Sequence, residues 1–520
     1  MKKVINLFDF RQKVNYGTEI LSGLTVALAL IPEAIAFALI AGLNPLTGLY
    51  AAFSIGLVTS ILGGRPGMIS GATGAVAVVY LGLITVLKTA NPSISVEEIT
   101  ENVFAVVIMA GIIQILAGVF RLGKFIRLVP HSVMFGFVNG LAIVIFMAQF
   151  DSFKIDGNWM QGTDLYIMLG LTLLTMLIIW LLPKLTKLVP SSLVAIIVVS
   201  AIVLLGNIET KTVGDLVEGG LQAGFPPFHI PEVPFSFEKL IQLLPYAFIV
   251  AGVGLIESLL TLNLIDEITQ TRGQSNKECV AQGTANIVTG LFSGMGGCAM
   301  IGQSLINISS GARARLSGIV ASVGLLMFIM FGANIIEKLP MAALVGVMFM
   351  VSIGTFEWAS LKIFGKMPWH DIVVMIVVIL ITVFMHNLAL AVLVGVIISA
   401  LVFAWDNARR IRARKYIDDK GIKHYEIYGP LFFGSTTAFG EKFDVQNDPK
   451  EIIIDFAESR VADMSAIEAL DKITKKYKEA NKIVHLRHLS KDCAKLLSNV
   501  EAIIDVNILE DPDYKVMLDK

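Results

Sequence analysis

Long apolar stretches separated by short polar or glycine-rich breaks recur from Thr18 to Trp405, and the pattern changes beyond Trp405. A stretch of about 18 or more apolar residues is long enough to cross the roughly 30 Å hydrocarbon core of a bilayer as a helix. Reading these runs against glycine, proline and charge predicts about 14 membrane segments. They start near Thr18, Leu46, Met68, Val103, Phe125, Tyr166, Val189, Ile241, Val280, Cys298, Leu316, Met341, Ile372 and Leu388. The segments at Met68 and Cys298 differ from the rest. They open on "GGRPGMISGATGAVAVV" and "GGCAMIGQSLINISSG", with paired glycines, a Met-Ile step and small polar residues.

After Trp405, "DNARRIRARKYIDDKGIK" is charged throughout and reads as a linker over residues 406–423. Residues 424–520 then alternate strand-like runs ("HYEIYGPLFFG", "KEIIIDFA", "KIVHL") with helix-like ones ("SAIEALDKITKKYKEA", "DCAKLLSNV"). That alternation predicts a small cytosolic α/β domain. Residues 1–17 mix Lys2, Lys3, Arg11 and Lys13 with apolar positions. They read as a cytosolic lead-in rather than a cleavable signal, because the first apolar run is long and many others follow it. Residues 18–405 form the membrane domain.

Composition agrees. The 520 residues are 55% hydrophobic, with mean hydropathy +0.74, above the range of soluble domains. The net charge of −1 hides a crowding of charge into loops and tail. No basic patch suggests nucleic acid. Cys279, Cys298 and Cys493 have neither metal-ligand nor disulfide spacing. No Walker A, nucleophile elbow or metal cluster is present, which speaks against an enzyme or an ATP-driven pump. His131 and His386 lie at segment ends, where interfacial positions are expected.

With the N-terminus inside, Arg121, Lys124, Arg127, Lys184, Lys187, Arg272, Lys277, Arg313, Arg315, Lys362 and Lys366 fall on the cytoplasmic side. "ARRIRARK" after the last segment falls there too. This is a positive-inside pattern, and it needs an even number of crossings. Seven plus seven places the second half in the opposite orientation, with the two broken segments third in each half. Such an inverted repeat puts a binding site where interrupted helices meet at the midplane.

A helix that starts inside a membrane leaves its first N–H groups to be satisfied. An anion can satisfy them, because each helix N-terminus carries about half a positive charge. In the first break Thr73, Gly74 and Ala75 are the expected donors. In the second these are the amides of Ala299, Met300 and Ile301, with the side chains of Gln303 and Ser304. Two acids lie in corresponding segments: Glu33, after Pro32 in the first, and Glu257 in the eighth, with Thr261 one turn on. An ionisable group at such depth is expected to be functional. Two helix ends contribute about +1, against −1 for Glu257 and −1 for a monovalent anion. One further positive charge balances the site, either Na⁺ held by Glu257 and Thr261 or a proton on Glu257. The expected chemistry is anion–cation symport, with Glu257, Thr261 and Glu33 as the cation-coupling set.

The stretches "IPEAIAFALIAGLNPLTGLYAAF", "SGATGAVAVV", "NKECVAQGTANIVTGLFSGMGG", "SSGARARLSG" and, in the tail, "GPLFFGS…IIIDFAESRVADMSAIEAL" resemble the SulP family of anion transporters, which carry a C-terminal STAS domain. The resemblance covers nearly the whole chain. It implies an all-α membrane domain of 14 spans in a seven-plus-seven inverted repeat with core and gate parts, followed by the STAS domain. It also implies an elevator-like movement, a homodimer in the lipid bilayer, and an anion site at the residues named above. Glu257 and Thr261 match positions where sodium-coupled bicarbonate members carry Asp and Thr. Two departures stand out: Glu33 replaces a common Gln, and Gly302-Gln303 replaces the Ser-Arg pair of some animal members. Without a fixed Arg a monovalent anion is favoured, bicarbonate first, with sulfate or a dicarboxylate as the alternative. The STAS resemblance also marks Ser465 as a candidate phosphorylation site for a cytosolic partner. Helix capping by Asp463 or Ser465, the latter in a capping box with Glu468, is the competing reading. A bacterial inner membrane with both termini cytoplasmic is the expected setting. An anion channel or exchanger on the same scaffold, or a membrane receptor signalling through its tail, are the rival functions.

Overall fold

The computed structural model describes residues 15–124, 129–155, 158–185, 190–216, 224–233, 236–362, 365–366, 368–385, 388–489 and 507–509. The expectations for residues 1–14, Arg127, Lys187, His386, Cys493 and the helix over residues 492–500 lie outside these. The chain divides into two compact units, Met1–Val396 and Ile397–Lys520.

The first unit is helical: α1 (Tyr16–Ile40), α2 (Pro45–Leu62), α3 (Gly74–Ala90), α4 (Val96–Val119), α5 (His131–Ala148), α6 (Thr163–Leu185) and α7 (Ser191–Leu205). The second seven are α8 (Phe237–Thr269), α9 (Ser275–Leu291), α10 (Ile301–Ser309), α11 (Leu316–Glu337), α12 (Met341–Thr355), α14 (Trp369–Met385) and α15 (Leu388–Ala408), whose last residues belong to the second unit, with a single turn α13 (Ala359–Lys362) before α14. Every expected membrane segment coincides with a helix. Among the described residues, eight helical stretches have the length and apolarity to cross a membrane; α10 has nine residues, about 14 Å at 1.5 Å per residue.

Local chemistry sets the helix starts. Asn15, Ser95 and Ser236 cap α1, α4 and α8 by accepting from the backbone N–H three residues on. Asn44 caps α2 through Leu46 N–H, with Pro45 at the first helical position. A different device starts α11. The buried Glu19 of α1 accepts from the amides of Arg313, Ala314 and Ser317, at 2.6, 2.9 and 3.0 Å. His131 begins α5 immediately after Pro130.

Helix packing follows a swap rule. α1 packs on α11 and α8 on α4; α2 packs on α11 and α9 on α4; α1 packs on α10 and α8 on α3. Each pairing becomes its mate when every helix is replaced by the one seven positions away, as a two-fold relation between the halves requires.

Before α3 and α10 the chain is extended. Strand β1 (Ser70–Gly71) pairs antiparallel with β4 (Cys298–Ala299), Ser70 opposite Ala299 and Gly71 opposite Cys298. A second small ribbon joins β2 (Lys154–Ile155) to β3 (Asn158–Trp159).

The second unit carries a five-stranded sheet in chain order: β5 (Arg412–Ile417), β6 (Lys423–Leu431), β7 (Glu451–Val461), β8 (Ile483–Arg487) and β9 (Asn507–Leu509). Only the β5–β6 pair is antiparallel. Residues 412–417, expected within the linker, thus form an edge strand. Their charge fits an edge, where charged side chains discourage further pairing. Among the described residues this unit also contains α16 (Thr436–Gly440) and α17 (Met464–Glu479). α17 buries Ala466, Ile467, Leu470, Ile473 and Tyr477 against Ile452, Ile454 and Phe456 of β7. Its cap is Asp463, which accepts from Ala466 N–H at 2.9 Å and from Phe433 N–H at 2.8 Å. Ser465 lies inside the first turn, so the expected Ser465–Glu468 capping box is not the cap.

Asp448 ties the domain together. Its buried carboxylate accepts from the hydroxyls of Tyr425 and Tyr477, each at 2.5 Å, and pairs with Lys423. Burial pushes this carboxyl upward, but the bonds from Lys423, Tyr425 and Tyr477 outweigh burial and hold it below its ordinary range.

Candidate anion site

The β1–β4 pairing fixes the site. The strands cross so closely that a Cβ on Gly297 would lie 2.0 Å from the carbonyl oxygen of Gly71. Only glycine fits there. α3 starts after Thr73 and α10 after Met300, both in extended conformation and neither making a side-chain cap. The opening N–H groups of both helices lack intrahelical acceptors.

A polar ladder on α9 holds the breaks in place. Glu278, Gln282 and Asn286 recur every four residues and are fully buried. Glu278 accepts from Gly64 N–H at 2.7 Å. Gln282 donates to Glu278 and to Ser70 Oγ, at 2.8 and 2.9 Å. Asn286 grips Gly297 from both sides, accepting from its N–H at 3.0 Å and donating to its carbonyl at 3.1 Å. Gln114 of α4 in turn accepts from Asn286 at 2.9 Å. One helix thus braces both interruptions.

The two acids reach this region from α1 and α8. Glu33 accepts from the side-chain amide of Gln303, in the first turn of α10. Glu257 accepts at 3.0 Å from the thiol of Cys298, in β4. The same sulfur lies 3.3 Å from Thr73 Oγ1, at the head of α3. Thr261 donates to the Glu257 carbonyl at 2.8 Å. Neither acid has an ion-pair partner among the described residues.

The expected donors sort into two groups. Gly74, Ala75 and Ile301 occupy first-turn positions, as expected. Ala299 and Met300 do not offer free amides: Ala299 N–H donates to Ser258 Oγ at 3.1 Å and Met300 N–H to Ile69 O at 2.9 Å. Ala299 belongs to β4 and Met300 is the N-cap, so both precede the helix proper. The Ser304 hydroxyl is also engaged, accepting from Ile69 N–H at 2.9 Å and donating to Ile69 O. It braces β1 and has no proton left for an anion. Gly302 and Gln303, one and two positions on from Ile301, complete the first turn instead.

Cys298, Ser258 and the α9 ladder were not among the expected site residues. The ladder had a legible signal, its four-residue polar spacing inside an apolar segment. Cys298 and Ser258 had none, because their roles depend on partners remote in sequence.

The profile of the sulfate permease family matches residues 17–372. The chain belongs to this family. A STAS domain profile matches residues 415–508. The chain is therefore a multi-pass membrane anion transporter with a C-terminal STAS domain, not an enzyme. YbaR of Bacillus subtilis (strain 168), named for proposed sulfate transport, is 43% identical over 95% of this chain and 99% of its own. The bicarbonate transporter BicA of Picosynechococcus sp. is 31% identical over 90% of this chain and 89% of its own. Among solved structures, the transmembrane domain of a cyanobacterial BicA matches with TM-score 0.65 at 30% identity, over 76% of this chain and 98% of that one. SLC26A9 shares the fold over 95% of this chain and 89% of its own, with TM-score 0.79 at 18% identity.

Proposed function

We propose that the protein is a secondary active symporter that couples a small inorganic anion, bicarbonate first, to a cation. The observation that supports this reading is the meeting of two uncapped helix starts with two carboxylates that no Lys or Arg pairs among the described residues. Two helix ends supply about one positive charge, enough for a monovalent anion and not for the acids as well. Glu257 is the coupling residue, taking Na⁺ or a proton as the anion binds. Thr261 orders the backbone beside it, and Glu33 sets the state of Gln303. The anion donors are Thr73 and the amides of Gly74 and Ala75 on one side, and those of Ile301, Gly302 and Gln303 on the other. Movement of this braced assembly past the remaining helices, in elevator fashion, exposes the site to each side in turn. The setting is a bacterial inner membrane with cytoplasmic termini, as the loop charges favour, and a homodimer.

Sulfate symport is the second reading, favoured by the name of the 43% identical relative. A doubly charged anion needs more co-bound cation at the same site. Uptake into sealed proteoliposomes separates the two. Bicarbonate, sulfate, chloride and fumarate are offered in turn, with Na⁺ and pH varied independently. Concentrative uptake of bicarbonate that requires one cation gradient is the expected result. Uptake that merely equilibrates the anion, whatever the gradient, identifies a channel or exchanger instead.

A further inference from the structure

We propose that Cys298 is a positioning residue that transmits cation occupancy at Glu257 to Thr73 by reversing a hydrogen bond. The inference rests on the symport reading above and adds the path by which the two ligands sense each other.

Cys298 is fully buried, and its sulfur bridges the two functional side chains, 3.0 Å from Glu257 Oε2 and 3.3 Å from Thr73 Oγ1. A thiol has one proton. While it donates that proton to the free carboxylate, Thr73 must supply the proton of the second contact, so its O–H points at sulfur and away from the helix end. A cation on Glu257 Oε2 draws on that oxygen's charge and weakens it as an acceptor for the thiol. The thiol then turns its proton to Thr73 Oγ1, and the Thr73 O–H is released as a donor. Thr73 stands at the N-cap of α3 and makes no capping bond. Its freed O–H therefore lies beside the uncapped amides of Gly74 and Ala75. Cation binding in this way adds one anion donor, and anion binding favours the cation by the same factor, as linkage requires.

The arrangement distinguishes this chain's own residues. Alanine at 298 breaks the path and leaves Thr73 free at all times. Serine keeps one proton and one acceptor between the same partners.

The test uses the full-length protein with Cys279→Ala and Cys493→Ala, leaving Cys298 as the single thiol. Apparent affinities for bicarbonate and for sulfate are measured in proteoliposomes without and with saturating Na⁺, and at low and high pH. In the parent a rise of about tenfold with the coupling cation is expected, within the usual range for coupled sites. Cys298→Ser should keep it. Cys298→Ala should cut it to roughly threefold or less, and do so by raising affinity in the cation-free state. Simple structural damage would lower affinity in both states. In parallel, the infrared S–H stretch of Cys298 should shift on cation addition in the parent and stay fixed in Glu257→Gln. A full cation effect in Cys298→Ala, or an S–H band that ignores the cation, overturns the relay while leaving symport standing. No cation effect in the parent removes both.

Discussion

Ser70 and Ala299 face each other across a two-residue antiparallel pair, although each belongs to a different half of the membrane unit. That contact ties two interrupted helices to one candidate site. It links the helix starts after Thr73 and after Met300 through a single pair of strands, and it admits Gly297 against the Gly71 carbonyl.

Gly297→Ala should disrupt this crossing. The added methyl overlaps a backbone oxygen, and overpacking of this kind costs about 1–3 kcal/mol when the backbone can shift. Thermal unfolding in detergent should move to lower temperature, and uptake should fall with it. An unchanged melting temperature would mean that the strands lie further apart.

Glu257→Gln should separate transport from accumulation. The amide keeps the size of the carboxylate but cannot balance a cation. Anion exchange down a gradient should continue, while uphill uptake falls to background. Wild-type accumulation in this variant would remove Glu257 from the coupling role.

Asn286→Ala should leave the N–H and carbonyl of Gly297 without their partner. Each buried group left unmatched costs about 1–3 kcal/mol. The variant should unfold earlier than Thr261→Ala, whose hydroxyl only doubles a helical bond. Comparison of the two melting curves checks the order.

Asp463→Ala, and not Ser465→Ala, should weaken the tail. Asp463 holds Ala466 N–H and Phe433 N–H, and loss of an N-cap costs about 1 kcal/mol. Protease sensitivity of residues 412–489 in the intact protein should rise for the first variant and stay near wild type for the second. Ser465→Asp with unchanged transport would leave the serine without a regulatory part.

Asp448 gives the tail an acid-sensitive knot. Its folded-state carboxyl lies below the ordinary range, so its stabilisation is fully present above the unfolded value of about 3.9. It fades as pH falls from there through the lower folded value. Wild-type tail protection should hold at about pH 5 and decline below about pH 4. Asp448→Asn should start weaker and show less change over that interval.

The helices and the two breaks before α3 and α10 were legible in the sequence because apolar run length and glycine-rich interruptions are local signals. So were the corresponding places of Glu33 in α1 and Glu257 in α8. What local patterns missed was competition for hydrogen bonds. Ala299 and Met300 sit at the right positions, but Ser258 and Ile69, remote in sequence, already take their N–H groups. Ser304 is lost to Ile69 in the same way. The edge strand at Arg412–Ile417 was hidden because its charged residues look like linker until β6 is alongside.

The ladder of Glu278, Gln282 and Asn286 carries a mechanical consequence. Both half-sites hang from one helix through buried hydrogen bonds. Pulling the two amide ends apart means breaking several of these at once in a water-poor interior. Under the elevator movement proposed above, the cradle would travel whole, already shaped for its cargo, with no binding energy consumed in reassembling it at either end of the journey.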